Sequence, residues 1–139
     1  MEIEKNKIDS GFKIVNLLLM ESSFSREVTV SFDPHQVESI VNIDVNVQVN
    51  QNTVYVTETL DYSQKVGNKN QVMSKIKMAG VFEKIGTNAL DMDNFGRVNG
   101  AAIIFPYIRE HLTNLSSKAA LGLIILPPFN FTKSTTIIK

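Results

Sequence analysis

The chain has 139 residues, 43% of them hydrophobic and 20% charged, with 14 Lys+Arg against 14 Asp+Glu. That length suits one compact domain, and the hydrophobic share is too large for wholesale disorder. Zero net charge gives no electrostatic footprint for nucleic acid, and the absence of cysteine excludes disulfides, thiolate catalysis and Cys-based metal centres.

In chain order, MEIEKNKIDS alternates acid and base without an apolar core, so residues 1–11 read as a tail and not as a secretory signal. Phe12 to Val30 is apolar enough to form a first strand. His35, after Pro34, falls in a polar loop and is expected to be exposed. Val41, Ile43, Val45, Val47 and Val49 then alternate with Asn42, Asp44, Asn46, Gln48 and Asn50, the pattern of an antiparallel strand with one apolar face. Asn50-Gln51-Asn52 supplies a turn, and Val54 to Tyr62 completes a hairpin. Gly67 and Asn68 tolerate positive φ and mark the next turn. Gln71 to Ile85 follows, with Val72, Ser74, Ile76 and Met78 on one face and Met73, Lys75 and Lys77 on the other. Ala79-Gly80 suggests a bulge or a close backbone approach there.

The period changes in the last third. Ile104, Ile108, Leu112, Leu115 and Ala119 lie on one helical stripe, with Pro106 expected either near the helix start or at a bend. Gly122 is a plausible stop, and Leu126-Pro127-Pro128-Phe129-Asn130-Phe131 should be extended. The reading is α+β: a four-stranded antiparallel meander, a long helix and an extended C-terminal segment, in a single domain over 1–139 with a tail at 132–139. The apolar windows 14–20, 101–105 and 121–129 are far short of the ~20 residues that cross a bilayer. We expect no stable membrane insertion and a cytoplasmic location.

Charge is uneven along this neutral chain. Residues 1–50 carry −4, residues 51–100 carry +1 and residues 101–139 carry +3. A solvated surface accounts for such a gradient, and an acidic partner is the alternative.

Candidate chemistry is sparse. Asp91-Met92-Asp93-Asn94-Phe95-Gly96 starts like an EF-hand loop, but the twelfth position is Ala102 where a bidentate Glu is needed, so a polar loop before a helix is the better reading. His111 beside Glu110 lacks a nucleophile and an orienting partner in any recognisable motif, and reads as a partly buried structural histidine. No catalytic residue, metal or cofactor is expected. Phe105, Tyr107, Phe129 and Phe131 either cap the sheet or line a groove for extended apolar segments, with methionines adding adaptable contacts.

Ala79-Gly80-Val81-Phe82, then Ile104-Phe105-Pro106-Tyr107-Ile108-Arg109-Glu110, then Leu126-Pro127-Pro128-Phe129-Asn130-Phe131 resemble, in order and spacing, elements of the SecB family of protein-export chaperones. Ser22-Ser23-Phe24 and Val41-Asn42-Ile43-Asp44-Val45 extend the resemblance upstream, so that it covers residues 12–131, strongly from 79 onward. The resemblance implies a four-stranded antiparallel sheet followed by helices, and a homotetramer built as a dimer of dimers. It also implies an ATP-independent holdase that binds unfolded or precursor polypeptides in hydrophobic grooves and passes them to the motor SecA. Carried over by position, Val41, Ile43, Val45, Phe105 and Tyr107 would line the client groove. Phe129 would join them, although the family has a smaller aliphatic residue there. Val72, Ser74, Ile76 and Met78 would form a face for assembly and clients. SecA docks in the family on an acidic outer sheet face. Here Lys75 replaces a glutamate of that face and Lys77 adds a second positive charge, while the family's C-terminal helix and acidic tail are missing. These departures suit a dedicated adaptor for one partner, such as an antitoxin, as well as a general holdase. A small-ligand carrier or enzyme on the same scaffold is the third reading.

Overall fold

The computed structural model describes residues 7–8, 11–86, 91–132 and 137–138. Its strands are β1 (Lys7–Ile8), β2 (Phe12–Arg26), β3 (Val37–Asn50), β4 (Thr53–Val66), β5 (Lys69–Lys84) and β6 (Ile137–Ile138). They form one antiparallel sheet in the order β1-β2-β5-β4-β3-β6. A short helix α1 (Met92–Phe95) leads through a π-helical turn, Gly96–Gly100, into the long helix α2 (Ala101–Lys118). The four long strands followed by one long helix are those expected from the sequence. Apart from residues 7–8, 11, 132 and 137–138, the two expected tails lie outside the described residues.

The meander proper is β3-β4-β5, and the connection 27–36 carries β2 across to the other side of β5. Two polar side chains fix that connection. The Arg26 guanidinium donates to the carbonyls of Glu27 (2.8 Å) and Val28 (2.9 Å) and to that of Ala119 at the end of α2. The buried Gln71 pairs with both backbone groups of Ser31, accepting its N–H at 2.9 Å and donating to its carbonyl at 3.0 Å. Gln71 also donates to Gln64, which donates to the Tyr62 hydroxyl.

Alternation decides which side chains go inward. Even-numbered residues of β4 and β5 and odd-numbered residues of β3 share the inner face, where Val54, Val56, Leu60, Ile76 and Phe82 are fully buried. Helix α2 lies on that face through Ala101, Ile104, Phe105, Ile108, Leu112 and Ser116. Gly80 breaks no register. A Cβ there would lie 2.9 Å from Ile104 Cδ1 and 2.8 Å from a Phe82 ring carbon, so it serves the close approach of helix to sheet. Register shifts occur instead in β2, between Ile14 and Asn16 and between Leu19 and Glu21.

Pro106 sits inside α2, not at its start. It is exposed, and its missing N–H leaves the carbonyl of the exposed Ala102 facing water. Asp91 caps α1 by accepting the Asn94 N–H at 3.1 Å, the structural role left once the calcium reading is set aside. The helix ends before Gly122. Ala120, at φ 57, accepts the left-handed position, its N–H bonding Ser117 while the Leu121 N–H bonds Ser116.

Candidate functional site

A groove of about 530 Å³ opens between α2 and the segment after it, lined by Pro106, Arg109, Glu110, Thr113, Leu123 and Ile125 among others. The segment is tied to the helix at one residue: the Thr113 hydroxyl donates to the Ile124 carbonyl at 2.7 Å, and the Ser116 hydroxyl accepts the Ile124 N–H at 3.1 Å. Its flanking residues point outward, Leu123 being 66% and Ile125 70% exposed. Farther along, Phe129 and Phe131 close on Phe105, with ring centroids 6.2 Å and 5.7 Å away, and the Arg109 guanidinium lies 5.7 Å over the same ring.

Of the residues expected in a client groove, Phe105 and Phe129 are brought together, Phe105 buried and Phe129 half-buried. Tyr107, two positions on, is exposed. Val41 and Ile43 are buried in the core of the single chain, and Val45 on the same face is half-buried. Val72, Ser74, Ile76 and Met78 also lie on the inner face, buried, and the Ser74 hydroxyl donates to the Ser23 carbonyl at 2.8 Å. In a single chain these four contribute to the core and offer no open face.

Lys75 and Lys77 are on the outer face. Cross-strand register sets Lys75 between Ser23 and Asp61, and Lys77 between Glu21 and Thr59, which in turn faces Asp44. Charges of both signs therefore interleave there. Beside them, a cleft of about 490 Å³ is lined by Ser25, Ile40, Asp61, Ser63, Met73 and Lys75 among others. Cross-strand register sets the small Ser63 between Ile40 and Met73 and Ser25 on the other side of Met73, which leaves the hollow between the larger side chains.

His111 is half-buried and its Nε2 lies 2.8 Å from the Ser22 hydroxyl, with no carboxylate at hydrogen-bonding distance among the described residues. His35 is exposed. No cluster of three or more His, Asp or Glu suited to a metal ion occurs among the described residues. Likewise, no described helix is long and apolar enough to cross a membrane.

One group escaped the sequence reading. Glu58 is fully buried on the inner face, opposite Val45 and Met78, and neither carboxylate oxygen has a hydrogen-bond partner among the described residues. Burial in this apolar setting pushes its carboxyl up to about 9, so it is neutral at pH 7. The period of two through Val54, Val56, Leu60 and Tyr62 places residue 58 inward and was the available signal.

Together these features define a sheet-and-helix scaffold with open apolar surface beside its helix and no assembled acid–base pair. The family model for the preprotein translocase subunit SecB matches residues 5–134. The chain belongs to the SecB family, whose members are non-enzymatic chaperones. Protein-export protein SecB of Saccharophagus degradans is 25% identical over 131 residues, covering 91% of this chain and 78% of that protein. An uncharacterized protein of Methanocaldococcus jannaschii is 29% identical over 94 residues, 65% of this chain but only 61% of the relative's length. Among solved structures, the SecB-like chaperone of Mycobacterium tuberculosis, in complex with a peptide from an antitoxin, superposes with a TM-score of 0.70. That match covers 86% of this chain and 92% of the other at 15% identity, and is a likeness of fold.

Proposed function

We propose that the protein is an ATP-independent holdase of the cytoplasm that covers apolar stretches of non-native polypeptides. The observation that carries this reading is the apolar lining of the groove beside α2, where Leu123 and Ile125 stand exposed to water; Tyr107 of the same helix is exposed as well. A binder of this kind works by mass action, lowering the concentration of aggregation-prone chains. Generic apolar contacts give it breadth. Val41, Ile43 and Val45 would extend the groove where a client reaches the inner face beside β3, and the buried Val72, Ser74, Ile76 and Met78 would support it from below. We propose assembly as a homotetramer, a dimer of dimers.

The test is suppression of aggregation of a heat-denatured model protein at stoichiometric amounts without nucleotide, with light scattering giving the assembly mass. Suppression by a tetramer is expected. A monomer without effect would overturn the reading.

A second reading, a dedicated adaptor with one partner, draws on the mycobacterial chaperone whose complex holds an antitoxin peptide. The interleaved charges around Lys75 and Lys77 also favour it, because they form a different docking face from an acidic one that would engage SecA. Affinity capture from the native cytosol separates the two: a heterogeneous set of unfolded chains for the holdase, one stoichiometric protein for the adaptor.

A further inference from the structure

We infer that Glu58 is a proton-operated latch for the segment Leu126–Phe131, which stays closed over the inner sheet face while the carboxyl is protonated and opens as that proton is lost. The latch regulates access to the apolar surface beside α2, and to that extent it rests on the holdase reading.

The segment is attached in a way that lets it lift. It follows a turn with two left-handed residues, Ala120 at φ 57 and Gly122 at φ 77, and is bonded to α2 through Ile124. Beyond Ile124, no hydrogen bond joins residues 125–131 to the sheet or the helix among the described residues. Packing alone holds them: Leu126 and Phe131 are buried, and the Phe129 and Phe131 rings rest on Phe105 and on each other.

The path of the segment brings it over Glu58. Phe131 lies against Phe105 of α2, and farther along the chain Ile138 pairs with Val41 on β3. The chain therefore leads from the helix towards β3, across the inner face of β4 where Glu58 stands. Val45, the β3 neighbour of Glu58, is only half-buried, so this row lies at the margin of the cover and water enters there first.

No other charge takes over the role. The inner-face neighbours Ile43, Val45 and Val47 on β3, and Ile76 and Met78 on β5, do not titrate. Residues 121–131 carry no ionisable side chain. On β4 the Tyr62 hydroxyl accepts from Gln64; Arg26 of β2 is spent on carbonyls, and Lys84 stands at the far end of β5. On α2, Arg109 lies over the Phe105 ring and His111 pairs with Ser22. Asp91 caps α1, and Asp93 pairs with Arg97. None of these bonds the Glu58 carboxyl, so its proton is the only means of neutralising it.

The sign follows from burial. Closed, the carboxyl keeps its proton to about 9, whereas in water it ionises near 4.5. Between these values the closed state holds one proton more than the open state. Each pH unit upward shifts the balance about tenfold towards opening, and acid locks the segment down.

Because the chain has no cysteine, a single introduced thiol reports opening without background. Leu126→Cys, at a site 4% exposed, is labelled with iodoacetamide from about pH 6.5 to 8; rates are divided by those of Leu123→Cys, at a site 66% exposed, to correct for thiol ionisation. Protection at residue 126 should fall about tenfold per pH unit, and the slope should vanish when Glu58→Gln or Glu58→Leu is added. Val56→Cys, at a fully buried sheet position, reports global unfolding and should stay at least about tenfold better protected. No slope, a slope that survives both Glu58 substitutions, or equal protection at residues 126 and 56 overturns the latch and leaves the holdase reading standing. Reduced, carboxymethylated α-lactalbumin, a permanently unfolded probe, should bind several-fold more tightly as pH rises across this range, and the gain should be lost in Glu58→Gln. The same gain in Glu58→Gln overturns the link between latch and groove. A working latch in a protein that binds no probe at any pH overturns the holdase reading instead.

Discussion

Gly80 and Ile104 approach so closely that a methyl group on the glycine would lie 2.9 Å from the isoleucine Cδ1. This contact limits how near α2 can sit to the second half of β5. Gly80→Ala should lower stability by about 1–3 kcal/mol, the usual cost of overpacking. Ile104→Val removes the clashing Cδ1, so the double variant should recover part of the loss. Additive losses in urea denaturation would show that the two residues do not meet.

Glu58 makes stability depend on pH. In the unfolded chain its carboxyl ionises near 4.5, whereas in the folded protein it keeps its proton to about 9. Below pH 4.5 both states are protonated and no penalty exists. Between the two values the folded state binds the extra proton, so stability falls as pH rises, by about 1.4 kcal/mol per unit. At pH 7 the accumulated loss is about 3 kcal/mol. Glu58→Leu should remove that slope and raise stability at neutral pH, as measured by denaturation at pH 5.5, 7 and 8.5. A wild-type curve that climbs across this range would contradict the assignment.

Ala120 holds a left-handed conformation that glycine adopts without a steric penalty. Ala120→Gly should therefore stabilise the C-terminal end of α2, by about 0.5–1 kcal/mol. A melting temperature that falls instead would mean that the methyl group makes an unrecognised contact.

Tyr107, Leu123 and Ile125 are exposed and apolar, so Tyr107→Ser or a Leu123→Ser/Ile125→Ser pair should leave thermal stability within about 0.5 kcal/mol. Under the holdase reading the same changes weaken suppression of aggregation. Leu112→Ala provides the contrast, since it empties a fully buried site and should cost about 2–5 kcal/mol.

Most of the sheet was legible because period two is unambiguous where one face is buried: Val41 to Val49, and Val72 to Met78, told inside from outside residue by residue. The helix was legible from Ile104, Ile108 and Leu112. The strand order was not, because nothing local in the connection 27–36 says which edge β2 will join. The turn at Gly67 was identified, but only Gly67, and not Asn68, takes positive φ. The candidate site was legible only in part. The aromatic residues Phe105 and Phe129 meet, yet whether Val41 or Tyr107 sees water depends on what the following segment covers, which is a tertiary fact. Glu58 was overlooked because a charged residue is ordinarily assigned outward, against the alternation that places it in the core.

Arg26 and Gln71 have a consequence for motion. A ten-residue crossing connection that displays Val28 at 95% and Phe32 at 68% exposure would ordinarily fluctuate on its own. Here its first two carbonyls are held together with the end of α2, and Ser31 is held to the start of β5. Excursions of the connection therefore require the helix end or the first rung of β5 to yield as well. The opening rate is then set by the sheet and helix, and a protease would find an exposed hydrophobic loop that resists cutting.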